Sequence, residues 1–204
     1  MAKIKLTKGE LKRQRDALRQ YERYLPTLQL KKQQLQMEIL HQAMMLDEKA
    51  RAEEIKSREI DTWAALLADD FKVKDYGLPR DVVTEERNIA GVEFRVFKEA
   101  VFIEAEYDLF SAPLWVDAAI IHLRAFNSLR AEKRLLKENI VLLRKELRIT
   151  NQRVNLFEKV KIPEAEEAIR LIKIYIGDQM SNAVGRSKIA KRKIEEYERL
   201  ALAA

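Results

Sequence analysis

Residues 129–157 read LRAEKRLLKENIVLLRKELRITNQRVNLF, and stepping through them by seven from Leu129 meets Leu136, Leu143, Thr150 and Phe157. An interleaved series holds Phe126, Lys133, Ile140, Leu147 and Val154. A period near 3.5 residues keeps one apolar seam on one side of a helix and predicts left-handed supercoiling against a partner helix. The same period stands near the start of the chain. From Leu11 the steps of seven reach Leu18, Leu25, Lys32, Ile39, Leu46, Glu53, Ile60 and Leu67, seven of nine apolar, and a companion series runs Tyr21, Leu28, Leu35, Gln42.

Thr7-Lys8-Gly9-Glu10 reads as a capping box that opens the first helix. Ser111 and Pro113 suit the start of the second, with Asp117 near the positive end of its dipole. Pro26 and Pro163 interrupt the seams, and each predicts a continuing helix with a bend. Helices of roughly 60 and 90 residues, about 90 and 135 Å long at 1.5 Å per residue, cannot bury their stripes alone. The expected fold is predominantly all-α: a long antiparallel two-helix coiled coil with a small β-hairpin element at its turning end and an overhanging second helix. Its segments are 7–70 for the first helix, 71–113 for the central element and 114–204 for the second helix, acting as a single functional unit.

The central segment has another texture. Tyr76-Gly77-Leu78-Pro79 signals a turn, Val82-Val83-Thr84 is strand-like, and Ile89 to Phe97 alternates apolar with charged residues around Gly91. Phe71 to Pro113 carries 6 Lys/Arg against 9 Asp/Glu, so the net charge of +6 belongs to the two helices. The central element is therefore expected to be an acidic docking head on a basic coil.

Charged residues at 35%, with five glycines, four prolines and 7% aromatics, favour long helices over a compact core. No apolar run approaches the roughly 18 residues of a membrane span, and Met1-Ala2-Lys3-Ile4-Lys5 lacks the apolar core of a signal peptide, so a soluble intracellular chain without direct membrane insertion is expected. The absence of cysteine excludes disulfides and thiolate metal sites.

Nothing in the sequence converges on catalysis. A two-helix coil has no interior wide enough for a water-excluding pocket. His41 and His122 lack a Cys or second His at metal-ligand spacing and read as helix-surface or seam residues, and no phosphate-binding glycine loop occurs. No catalytic group, cofactor or metal is expected. Trp63 and Trp115 flank the central segment and read as packing anchors. The cluster from Arg186 to Lys193 suits either a helix C-terminal region or a contact surface for acidic side chains; without interleaved aromatics it is a poor nucleic-acid site.

Four segments, in order, carry a resemblance. Asn151-Gln152-Arg153-Val154-Asn155-Leu156-Phe157-Glu158…Ile162-Pro163 resembles the Asn-x-Arg-Val-Asn-Ala-Leu-Glu…Ile-Pro motif of the D subunits of V-type and archaeal-type (V/A) rotary ATPases and ATP synthases. Leu28 to Leu35, including Lys31 and Lys32, is similar to that family's first-helix motif; Asn88-Ile89-Ala90-Gly91-Val92 to its central motif; and Arg186-x-Lys188-x-x-Lys191 to its terminal one. Gln29 and Gln33 replace the usual Lys and Asp, Leu156-Phe157 replaces Ala-Leu, and Gly177 and Gly185 fall where the family prefers an acidic helix.

The resemblance implies a non-catalytic central rotor shaft in a bacterial complex, cytoplasmic and peripheral to the inner face of the cell membrane. It implies catalytic A and regulatory B subunits around the terminal end, the F subunit on the side of the coil, and a membrane-side rotor subunit at the hairpin end. It also implies partner contacts at Arg153, Asn155, Arg186, Lys188, Lys191, Lys31 and Lys32, with Gly91 and Val92 at the hairpin end. From helices and hairpin alone, a coiled-coil scaffold or prefoldin-like chaperone module fits as well; the four ordered motifs rank the shaft first.

Overall fold

A computed structural model describes residues 5–68, 73–108 and 112–202. In chain order they form α1 (Lys8–Asp61), a 3-10 turn (Ala64–Ala68), α2 (Val73–Gly77), β1 (Pro79–Ile89), β2 (Val92–Phe102), α3 (Val116–Leu156), a π-helical turn (Phe157–Lys161) and α4 (Ile162–Leu202). The expected mostly-α chain with one small hairpin is what forms. Ser111, Phe71 and Phe110, and the side chain of Leu67, lie outside the described residues.

Half of the capping box is present. The Glu10 N–H donates to Thr7 Oγ1 at 3.3 Å, while the Glu10 carboxylate accepts from Gln14 Nε2 at 2.7 Å. α1 runs on through Pro26 without a break. At Pro163 the accommodation is visible: the missing N–H and the ring, which would collide with the Lys159 carbonyl in an ordinary turn, come directly after the π-turn. There the Ile162 N–H donates to the carbonyl of Phe157, five residues back.

The chain divides into two compact units, Met1–Gln29 with Gln152–Ala204, and Leu30–Asn151. Within the second, α1 and α3 run antiparallel, as their partners show. Trp63 meets His122 at 6.0 Å between rings, Lys49 pairs with Glu132 at 2.9 Å, Glu53 pairs with Lys133 and Arg130, and Leu35 packs with Leu143. Partners thus move back along α3 as they advance along α1. Within the first unit Tyr21 meets Phe157 with ring centroids 5.3 Å apart, and Val154, Ala165, Ala168, Ile169 and Ile172 are buried. Beyond Ile176, every residue of α4 from Gly177 to Arg199 is exposed, which is the expected overhang.

The hairpin is a two-stranded antiparallel ribbon closed by Ile89 opposite Val92, with irregular register between Pro79 and Asp81 and between Val83 and Thr84. The two-residue loop Ala90-Gly91 has φ of 53° and 75°, the left-handed pair that matches the twist of such a ribbon, and Gly91 supplies the second without a Cβ penalty. Asn88 Oδ1 accepts the Gly91 N–H at 3.0 Å and fixes the turn.

The hairpin is rooted at the turning end but does not stay there. At its base Arg124 donates to the carbonyls of Tyr76 and Ile103, and Asn127 donates to that of Gly77 at 2.8 Å. Its far end lies on the middle of the helices, where Val92 and Phe94 are buried with Leu35 and Leu143 and packed by Ile39 and Leu147. Gly91 and Val92 therefore mark the tip of the hairpin, not the turning end of the coil. The alternation that predicted the strands explains this, because a ribbon with one apolar face must bury it, and the exposed flank of a helix pair offers the surface. The turning end has its own core of Val73, Val116, Ala119 and Ile120, with Trp63 and Trp115 packed on it as anchors.

Candidate partner interfaces

The expected contact residues fall into two groups. In the unit Leu30–Asn151, Lys31 and Lys32 are half-buried on α1, and Lys31 Nζ would stand 3.8 Å from a Cβ placed on Gly91. The structure thus joins two separate motifs, the first-helix lysines and the Asn88 to Val92 turn, in one place. Gly91 is exposed and available to a partner, whereas Val92 is part of the core.

In the other unit, Arg153 and Asn155 are exposed on the last turn of α3 while Val154 between them is buried. Helical geometry explains the alternation, since successive residues are rotated by about 100° and only Val154 meets the seam. Arg186, Lys188 and Lys191 are exposed on the overhang, with Lys191 Nζ 3.8 Å from the Glu195 carboxylate. That separation in solvent leaves the cation open to a stronger partner. Elsewhere in this unit Arg170 pairs with Glu167, which holds the carboxyl below the usual range and the guanidinium above it, and in the other unit Arg51 pairs with Asp47.

The turning end presents apolar groups to solvent. Leu114 is 100% exposed, and Leu66, Leu78, Val101 and Ile103 are also exposed. Singly these would be unremarkable; together, in and beside the segments that join the helices to the hairpin, they are a candidate contact surface. Around it, Tyr107 donates to Asp117, which raises the phenol above its ordinary value, and Tyr76 donates to the Glu106 carbonyl at 3.1 Å. Sequence reading missed the side chains that build this end. Arg124 and Asn127 there, and Asn139 farther along α3, whose Nδ2 donates to the Arg95 carbonyl at 2.7 Å, carry a faint signal as polar residues in or beside the apolar series.

Among the described residues no group of three or more His, Cys, Asp or Glu is arranged to hold a metal. Likewise no described helix is long and apolar enough to cross a membrane. A groove of about 270 Å³ lies between α1, α3 and the hairpin and is lined by Glu38, His41, Gln42, Phe94 and Asn139 among others.

The family model for the D subunit of ATP synthase matches residues 10–192. The chain belongs to that family. It is 43% identical over 202 residues to the V-type ATP synthase D subunit of Borreliella burgdorferi, covering 99% of this chain and 100% of the relative. With the Chlamydia abortus protein of the same name it shares 37% over 201 residues, covering 96% of this chain and 95% of the relative, and with that of Chlamydia trachomatis serovar L2 31% over 201 residues, 96% and 98%. Members of this family are components of a multisubunit V-type ATP synthase, so this chain is a component of such a complex.

Proposed function

We propose that this chain is the rotor axle of its complex, transmitting torque between a ring of catalytic A and regulatory B subunits and a membrane-side rotor, and so coupling ATP synthesis or hydrolysis to proton or sodium transport. The observation that carries the reading is a family match along almost the whole chain, on a pair of long antiparallel helices one of which continues fully exposed from Gly177 to Arg199. A helix exposed on all sides gains nothing from packing in the isolated chain, so its stability and purpose lie with a surrounding partner. The basic residues there, Arg186, Lys188 and Lys191 with Arg153 below, would meet acidic side chains lining the ring through long-ranged attraction that tolerates rotation, with Asn155 beside Arg153 adding a neutral hydrogen-bonding group. The exposed leucines of the turning end suit the membrane-side rotor, and the flank of the coil suits the F subunit. Lys31 and the turn at Gly91 lie close together, which supports Lys31, Lys32 and Gly91 as the residues of such a side contact.

Charge reversal at Arg153, Arg186, Lys188 and Lys191 together tests the placement: coupled ATP turnover or ring assembly should fall, and unchanged values for both would disprove it. Purification of the tagged chain from its native host in gentle detergent tests the reading itself. Recovery with catalytic ATPase subunits is expected, and consistent recovery without them would overturn it.

A further inference from the structure

In the unit Leu30–Asn151 each helix of the coil carries a charge where its seam calls for an apolar residue: Glu53 in the series from Leu11, and Lys133 in the series that holds Phe126. The fold brings the two together. Glu53 pairs with Lys133 across the coil, their side chains 15% and 24% exposed. One turn earlier on α1, Lys49 pairs with Glu132 at 2.9 Å, the side chains 29% and 17% exposed. Two rungs of opposite polarity thus cross the seam, and Arg130 reaches the Glu53 carboxylate from its more exposed edge at 3.7 Å.

Charges at such positions add little to stability, because desolvation offsets most of their attraction and a leucine pair would pack as well or better. What they discriminate is register. Apolar side chains do so weakly, since sliding α1 by one heptad brings Leu28 to the place of Leu35 and Leu35 to that of Gln42. The same slide sets Glu53 against Phe126 and Lys133 against Leu46, and the opposite slide sets them against Ile140 and Ile60. Either leaves two desolvated charges unpaired. A slide of one turn meets repulsion instead, Lys49 against Lys133 in one direction and Glu53 against Glu132 in the other. The hairpin leaves this task to the rungs. The side-chain hydrogen bonds to its root and strands come from Arg124, Asn127 and Asn139, all on α3, and among the described residues none comes from α1. We propose that Lys49, Glu53, Glu132 and Lys133 are positioning residues that lock the register of α1 on α3. Packed helices ratchet past each other in whole turns, and rungs of alternating sign are a stop against that motion. The lock itself needs no partner; its purpose rests on the rotor reading, in which the coil resists a load only if its two helices cannot slide.

The chain has no cysteine, so Met44→Cys and Val141→Cys, at exposed positions of α1 and α3, give the full chain a single pair of spin labels. Pulsed electron paramagnetic resonance then compares four forms: the parent, Glu53→Leu with Lys133→Leu, the exchange Glu53→Lys with Lys133→Glu, and the inversion of all four charges. The parent should give one distance. The leucine pair should melt at the same or a higher temperature and add a second distance, its helices displaced by roughly 5 or 10 Å, one turn or one heptad. The two-charge exchange keeps an attractive pair but makes both α1 rungs positive and both α3 rungs negative, so it should slip by one turn. Inverting all four restores the alternation and should return the parent distance alone. Far-UV circular dichroism checks that each form is helical, and the exchange keeps the test decisive should the leucine pair misfold. One unshifted distance in every form, or a leucine pair that melts far lower at the parent distance, would overturn the proposal. In the complex purified from the native host, the leucine pair should still hydrolyse ATP while moving fewer ions per ATP, and the full inversion should restore the ratio. A slipped register with an unchanged ratio would leave the lock standing and strike the rotor reading.

Discussion

At residue scale the hairpin turn makes the sharpest demands. Ala90 adopts a left-handed conformation that costs an ordinary residue about 1 kcal/mol, and Gly91 holds the second such position. Ala90→Gly should therefore raise the unfolding free energy by up to ~1 kcal/mol, and Gly91→Val should lower it by about 1–2 kcal/mol, as read by denaturant titration of the purified chain. Buried Gln42 has an Oε1 without a hydrogen-bond partner, so Gln42→Met, which keeps the volume and removes the orphan acceptor, should stabilise by ~1 kcal/mol. Tyr107 supplies a pH dependence. Its hydrogen bond to Asp117 raises the phenol above 10.0, so the stability it contributes is complete below the unfolded value and is lost as pH rises through the folded one. Tyr107→Phe should abolish that alkaline loss in a pH series of melting curves, and persistence of the loss would exclude Tyr107 as its source.

At the scale of elements, the π-turn from Phe157 to Lys161 holds one more residue than an α-turn does, so it absorbs an insertion without rotating the helix beyond it. That keeps Ala165, Ala168 and Ile172 on the buried side. Deleting Val160 together with Pro163→Ala should convert the turn to ordinary α-helix with melting altered by only a few degrees. Deleting Ile140, which lies in continuous α3, should shift the seam by about 100° and destabilise severely; equal outcomes for the two deletions would refute the absorbed insertion. The proline was legible and its consequence was not. A missing N–H announces a disturbance, but whether a bend or a widened turn resolves it depends on which side chains must stay buried. The hairpin divides in the same way: Gly91 and the alternation from Ile89 announced strands, while the resting place of the tip depended on where Leu35 and Leu143 left apolar surface uncovered.

For the molecule as a whole, the exposed stretch of α4 sets a gradient of stability. Residues 177–199 have no packed face, so in the isolated chain their amides should exchange much faster than those of α3 between Leu136 and Val154, where buried or half-buried residues recur at every turn. Exchange followed by mass spectrometry checks this, and equal protection in the two stretches would contradict it. Of the candidate contacts, Arg186, Lys188 and Lys191 were legible as a basic run near the end of the second helix. The exposed group of Leu66, Leu78, Ile103 and Leu114 was not, because these residues are scattered over some fifty positions and meet only when the chain turns back.

The sequence by itself determined the helices, their antiparallel pairing and the existence of a ribbon between them. These arise from periodicity and turn chemistry, which act over a few residues and can be counted along a single chain. Tertiary structure alone decided that the ribbon lies back along the coil with Lys31 beside Gly91, that Arg124 and Asn127 tie its base to α3, and that the seam crosses Pro163 on a widened turn. Each of these joins distant residues or trades one local preference against burial elsewhere, and only the assembled packing sets the balance.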